Sequence, residues 1–83
     1  MEIKTTRTVD GSEGYSSLVT TIVNGKDSYV VEYENDAPRI TDFRLDATQY
    51  DYYWPEPESP RISFESVLLI AKKDADRFIK EEP

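Results

Sequence analysis

The chain has 83 residues, enough for one small domain, and its 17 acidic and 10 basic residues give a formal net charge of −7. It contains no cysteine, which excludes disulfides and thiolate catalysis, and no histidine, which removes the commonest general base and zinc ligand. Aromatic residues make up 12% of the chain, whereas acidic disordered chains are poor in them. The composition therefore indicates an ordered acidic domain and disfavours most enzyme classes.

The first two-thirds of the chain has the composition and alternation of β-strands. Runs rich in Thr, Val, Ile and Tyr predict four strands, at about residues 2–9, 15–23, 28–35 and 39–46. Asn24-Gly25 between two of these runs predicts a tight hairpin, because a type I′ turn requires positive φ at both central residues. Residues 48–54 are either a fifth strand or an ordered aromatic loop. Three prolines make residues 55–60 a stiff extended connector.

The last segment changes to the helical period. A single amphipathic helix is predicted at about residues 63–81, and its apolar face consists of Phe64, Val67, Leu68, Ala71, Ala75, Phe78 and Ile79. Ser63 suits the N-cap position, because its hydroxyl can accept a hydrogen bond from a free backbone N–H. The alternative for this segment is a strand over residues 62–70 followed by a short helix from Asp74.

Four or five strands followed by one helix predict an α+β fold with the order ββββ(β)α, a single domain over residues 1–83. An amphipathic helix must bury its apolar face, so we expect it to pack on one face of an antiparallel sheet. Alternation in the third and fourth strands predicts the sheet residues that face the helix, which are Tyr29, Val31, Tyr33, Thr41, Phe43 and Leu45.

The net charge is not evenly spread. Residues 27–58 contain nine acidic and two basic residues, and this difference of seven equals the net charge of the whole chain. Because side chains alternate along a strand, acidic residues of the third and fourth strands are predicted on the face opposite the helix. These are Glu32, Glu34, Asp42 and Asp46. The alternative to a binding surface is the ordinary solvated face of a one-sided sheet.

Aromatic residues follow these acidic ones in the chain. Tyr and Trp dominate binding hot spots, because they bury large areas at low entropic cost. Aromatic side chains among carboxylates would suit a basic protein surface, although packing in the core is the alternative for each ring. The predicted partner-binding residues are Glu32, Glu34, Asp42, Asp46, Tyr50, Asp51, Tyr52, Tyr53, Trp54, Glu56 and Glu58.

No motif in the sequence indicates catalysis, a metal or a cofactor. The turn at residues 10–14 lacks the ligand spacing of a calcium loop, and three glycines form no phosphate-binding motif. We therefore expect no catalytic, cofactor-binding or metal-binding residues, and a protein that is not an enzyme.

The acidic charge also disfavours direct binding to nucleic acid or to anionic membranes. The longest apolar run, residues 67–71, is far shorter than the ~18 residues that a membrane helix needs. The first ten residues contain no apolar stretch of a secretory signal. We expect a cytoplasmic protein, in the host cytoplasm if the chain is viral.

These features favour the hypothesis of a small acidic interaction module that inhibits its partner by blocking a basic, nucleic-acid-binding surface. Small phage-type inhibitors of restriction or CRISPR enzymes and acidic immunity proteins act by this logic, and the analogy is one of size and charge. Carboxylates spaced along strands would then stand in for phosphates. The alternative is a non-catalytic structural or accessory domain whose acidity serves only solubility. The oligomeric state is left open.

Overall fold

The computed structural model describes residues 1–10, 15–34, 37–51 and 62–81. These residues form β1 (Glu2–Asp10), β2 (Tyr15–Asn24), β3 (Asp27–Glu34), β4 (Ala37–Leu45), β5 (Thr48–Asp51) and α1 (Phe64–Glu81). Neighbouring strands are antiparallel, and their order in the sheet follows the chain from β1 to β5. Helix α1 packs on one face of the sheet, here called the inner face, which confirms the predicted α+β fold. The predicted connector at residues 55–60 lies outside the described residues.

Helix α1 runs without interruption from Phe64 to Glu81, so the alternative of a strand over residues 62–70 is wrong. Ser63 caps it: its Oγ accepts a hydrogen bond from the Ser66 N–H at 3.1 Å. Its carbonyl accepts from the Val67 N–H at 2.9 Å. The first contact satisfies a backbone N–H that the first turn of a helix leaves without an intrahelical partner, and the second is the first i→i−4 hydrogen bond of the helix.

The β2–β3 hairpin turns one residue later than the sequence predicted. Asn24 is the register partner of Asp27, so Gly25 and Lys26 form the two-residue loop. Gly25 has φ of 64°, whereas Lys26 is not among the described residues with positive φ. Positive φ at the first central position alone is the pattern of a type II′ turn rather than type I′. Asn24 therefore belongs to the strand, and Gly25 provides the conformation that the turn requires.

A β-bulge in β4 overturns the prediction that Thr41 faces the helix. Val30 pairs with Asp42 and Val31 pairs with Ile40, which leaves Thr41 as the additional residue. The additional residue shifts the alternation of side chains between the two faces by one position. Ile40 is therefore buried in the core in the place predicted for Thr41. The Thr41 hydroxyl instead donates a hydrogen bond to the Val30 carbonyl at 3.3 Å.

The core lies between the inner face and α1, with Phe43 at its centre. The Phe43 ring stacks on Tyr50 at a centroid distance of 4.8 Å and meets Phe64 edge-on at 4.9 Å. Buried members of this core cluster are Ile22, Tyr29, Val31, Ile40, Phe43, Val67 and Ala71. Among these buried residues the sheet supplies the larger side chains, and the helix supplies Val67 and Ala71.

A polar network joins β1, β2 and the helix beside this core. The Thr5 hydroxyl lies 2.7 Å from that of Thr20 and donates to Asp74 Oδ2 at 2.6 Å. Arg77 donates to Asp74 Oδ1 at 3.0 Å and to Glu81 Oε2 at 2.9 Å. Burial acts to raise the pKa of Asp74, but the hydrogen bonds from Thr5 and Arg77 and the charge of Arg77 outweigh it and lower that pKa.

Replacing Phe43 with alanine is expected to lower the free energy of unfolding by about 3–5 kcal/mol, because it removes the ring that the other core aromatics contact. Urea denaturation measures this loss. The matched control is Leu69→Ala on the solvent side of α1, where the side chain is 52% exposed. It is expected to change stability by less than about 1 kcal/mol. Equal losses in the two variants would contradict the central position of Phe43.

Replacing Asp74 with asparagine is expected to cost about 1–2 kcal/mol at neutral pH, because the ionised acceptor of the network is lost. The lowered pKa means that this stabilisation is complete above the ordinary value of 3.8 and disappears as the pH falls through the folded-state value. Urea unfolding at about pH 7 and about pH 2 should therefore show a difference between wild type and Asp74→Asn that shrinks in acid. Exposed Asp76→Asn is the control, and a constant difference for Asp74→Asn would refute the assignment.

Candidate functional site

The face of the sheet opposite α1, here called the outer face, contains the acidic positions of the strands. By register and alternation, six acidic and three basic residues occupy outer-face positions. The acidic ones are Glu2, Asp10, Glu32, Glu34, Asp42 and Asp51, and the basic ones are Lys4, Arg39 and Arg44. For Asp10, Glu34 and Asp51 the structure gives the strand position and not the side chain, so the charged side chains that it describes on this face are three acidic and three basic.

Glu32 and Asp42 lie on the outer face as the alternation predicted, and both are half-buried. Asp42 is the register partner of Val30 on β3 and of Asp51 on β5. Glu32 is the register partner of Arg39, which simple alternation from Phe43 would place on the inner face. The β4 bulge reverses the alternation at residues before it, so a guanidinium group lies on the face predicted to be acidic.

Asp46 does not belong to the outer face, and its predicted strand position is wrong. β4 ends one residue earlier, and Asp46 lies in the following turn with φ of 57°. Its N–H donates to Asp27 Oδ1 at 3.0 Å, and its carbonyl accepts from Arg44 Nε at 3.1 Å. Lys26 Nζ is 4.0 Å from the exposed Asp46 carboxylate. Asp46 therefore joins the β2–β3 and β4–β5 connections at one end of the sheet.

Asp27 was counted among the nine acidic residues of the charged segment, yet it is only 1% exposed. Asp27 and Tyr29 are two residues apart on one strand, so they share a face, and Tyr29 was correctly predicted on the inner face. This spacing could have shown from the sequence that Asp27 is not a surface charge. Its carboxylate holds the β4–β5 turn, so it contributes to the fold rather than to an acidic surface.

The aromatic residues predicted to bind a partner are described only in part. Tyr50 is half-buried on β5, where its ring stacks on Phe43 at the margin of the core. For Glu34 and Asp51 the structure gives the strand position and not the side chain. The other predicted binding residues lie outside the described residues: Tyr52, Tyr53, Trp54, Glu56 and Glu58.

The outer face also contains an apolar group that the sequence analysis missed. Val19 and Val23 of β2 and Val30 of β3 are half-buried there, and we call them the valine patch. Val30 is the register partner of Thr21, which places it diagonally between Val19 and Val23. The sequence does contain a sign of this patch: in the second and third predicted strands, apolar residues occur on both faces and not on one alone.

Comparison with known proteins finds no matching family model, no matching curated protein and no matching solved structure. Within the described ranges, no helix combines the length and apolarity that crossing a membrane requires. The same residues contain no group of three or more His, Cys, Asp or Glu that could hold a metal ion.

Replacing Asp27 with alanine is expected to cost about 1–3 kcal/mol, because the Asp46 N–H loses its acceptor and the turn loses its anchor. Asp27→Asn keeps an acceptor oxygen and is expected to cost less. Urea denaturation measures stability, and the NMR chemical shift of the Asp46 amide reports the hydrogen bond. Equal stability of the wild type and Asp27→Ala would show that this contact does not support the turn.

Proposed function

We propose that this chain is a small protein-binding module that places its acidic outer face on a basic surface of a partner protein. That surface would otherwise bind nucleic acid, and its occupation inhibits the partner, in the manner of phage-type inhibitors and acidic immunity proteins. The observation that carries the proposal is the charge distribution: residues 27–58 contain nine acidic and two basic residues, of which Asp27 is buried and Glu32 and Asp42 lie on the outer face. The partner class follows from charge complementarity.

The arrangement of the outer face supports this proposal. Glu32 and Asp42 lie on that face, and neither belongs to the buried core. Asp42 is the register partner of Asp51, so two acidic residues occupy neighbouring outer-face positions on β4 and β5.

The mechanism is electrostatic exclusion. Negative charge on the module raises the rate of encounter with a basic surface, and close contacts then determine the rate of dissociation. While the module is bound, the cations that would neutralise phosphates are engaged by carboxylates. Because the attraction acts largely between solvent-exposed charges, salt weakens it.

The second candidate is an accessory domain whose acidity serves solubility. The observation that favours it is the position of Arg39 and Arg44, which offset part of the acidic charge on the outer face. Mixed charge is also what an ordinary solvated face contains. The two candidates differ in one respect: only the first requires particular acidic residues on that face.

Replacing Glu32 and Asp42 together by lysine is expected to weaken partner binding at least about tenfold, because attraction becomes repulsion. The assay is capture from host lysate on immobilised protein, washed at ~50 mM and ~500 mM salt and read by mass spectrometry. The expected result is one basic nucleic-acid-binding protein, lost at high salt. The purified partner should then lose nucleic-acid binding when the wild-type module is added.

The matched control is Glu65→Lys with Asp76→Lys, which changes the net charge equally at exposed positions of α1. It is expected to keep the partner, whereas Glu32→Lys with Asp42→Lys loses it. Thermal unfolding of both variants shows whether each remains folded. Equal loss in both, or capture that does not respond to salt, would count against a specific acidic surface.

A further inference from the structure

Strand β1 forms one edge of the sheet, and among the described residues it pairs with β2 alone. It is nine residues long, contains no proline and pairs with β2 without a bulge. A regular edge strand of this length can accept a further strand, and proteins usually shorten, bend or interrupt such edges to prevent it. The opposite edge, β5, has only four residues. Of the two edges, β1 therefore offers an added strand the longer pairing.

The β2–β3 hairpin determines which backbone groups of β1 point away from the sheet. Asn24 and Asp27 close a two-residue loop and so form a hydrogen-bonded pair. Hydrogen-bonded pairs alternate along each antiparallel ladder, so alternate residues of β1, beginning with Glu2, bond to β2. Ile3 and Thr5 direct their N–H and C=O groups outward instead. A β-strand presents complementary groups at the same spacing.

The surroundings of β1 differ in charge from the middle of the chain. Residues 1–26 contain three acidic and three basic residues, whereas residues 27–58 contain nine acidic and two basic ones. Ile3 is 38% exposed, and with Ile70 it lines a groove of about 320 Å³ between β1 and α1. Two copies of this acidic protein can therefore meet at β1 without the repulsion of the acidic segment and with apolar area to bury.

The sequence of β1 distinguishes one register for a pair of two copies. A symmetric antiparallel pair has a two-fold axis, so one residue of β1 lies opposite its own copy. If that residue is Ile3, the pair buries isoleucine against isoleucine and twice places Glu2 opposite Lys4 of the second copy. No other central residue of β1 gives opposite charges without a like-charge pair. A centre at Lys4 or Arg7, for example, puts a cation opposite its own copy.

The position of α1 is compatible with this register. The helix contacts β1 at Thr5 and Arg7, which lie on one side of Ile3. The two-fold axis places the corresponding contacts of the second copy on the other side, so the C-terminal halves of the two helices extend in opposite directions. A centre at Thr5 would instead bring the Asp74 carboxylates of both copies together, because each accepts a hydrogen bond from Thr5.

We propose that two copies of this chain associate through β1, in an antiparallel pair with Ile3 opposite Ile3 of the second copy and Glu2 opposite its Lys4. The paired segment is about five residues long, so the interface is smaller than the ~800 Å² per partner of a stable complex, and the dimer dissociates on dilution. This inference does not depend on the proposed function, because β1 pairing leaves the outer face uncovered.

The test is sedimentation equilibrium of the full chain between about 20 μM and about 1 mM. The average mass is expected to rise from the 9.6 kDa of the monomer towards twice that value. NMR should show slower amide exchange at Ile3 and Thr5 in the concentrated sample, whereas the Lys4 amide, which bonds to β2, should change little. A mass that stays at the monomer value at the highest concentration, or protection that does not reach Ile3 and Thr5, would overturn the inference.

Charge exchange across the pair tests the register. Lys4→Glu is expected to weaken the dimer about tenfold, because it twice places two acidic residues opposite each other. Glu2→Lys combined with Lys4→Glu restores opposite charges without changing the net charge of wild type, and it is expected to restore the dimer. Both positions are exposed, and thermal unfolding shows that each variant folds. A double variant that stays as weak as Lys4→Glu would contradict the inference.

The apolar contact is tested separately. Ile3→Thr keeps the β-branched shape and removes apolar surface, so it is expected to weaken the dimer about tenfold. Leu69→Ala is the matched control, because this more exposed apolar side chain lies on the solvent side of α1, away from β1. It is expected to leave the dimer unchanged. Equal weakening by both variants would indicate non-specific apolar association and refute pairing through β1.

Discussion

The packing of one helix against one side of the sheet is the constraint on which the rest of this structure depends. Two contacts set the direction of α1, and each joins an inner-face residue of β1 to a helix residue: Thr5 with Asp74, and, one turn further along, Arg7 with Phe78. Ile3 and Ile70 line one pocket at the preceding turn. Successive inner-face residues of a strand are about 6.8 Å apart, and successive turns of a helix are about 5.4 Å apart. Because these distances are similar, inner-face residues of β1 stay next to successive turns of α1 over two turns. The helix therefore runs parallel to β1, and the Thr5–Asp74 hydrogen bond fixes its register.

Because α1 covers only the inner face, the composition of the outer face is not dictated by the core. A solvated face requires polar or charged residues and β-branched shapes that suit a strand. Threonine meets both requirements, and the chain uses it at Thr6, Thr8 and Thr21 on that face. The valine patch is the part of the outer face that solvation alone does not explain.

Periodicity was sufficient to predict most of the fold, because the apolar residues recur every two residues in the strands and about every 3.6 residues in the helix. Ser63 was predictable as the N-cap for a similarly local reason. The β4 bulge was not, since Ile40 and Thr41 are both β-branched and alternation alone cannot show which one faces the core. For the candidate site, alternation placed Glu32 and Asp42 correctly, but the bulge and the turn at Asp46 determine which charges accompany them.

The acidic residues of this chain serve separable physical purposes. Asp27 and Asp74 accept hydrogen bonds within the fold, so their carboxylates stabilise the turn and the helix–sheet contact. On the outer face, Asp42 of β4 is instead the register partner of Asp51 of β5, so two acidic residues occupy neighbouring positions there. Because Asp27 and Asp74 act within the fold, the net charge of the chain does not measure the charge of the outer face.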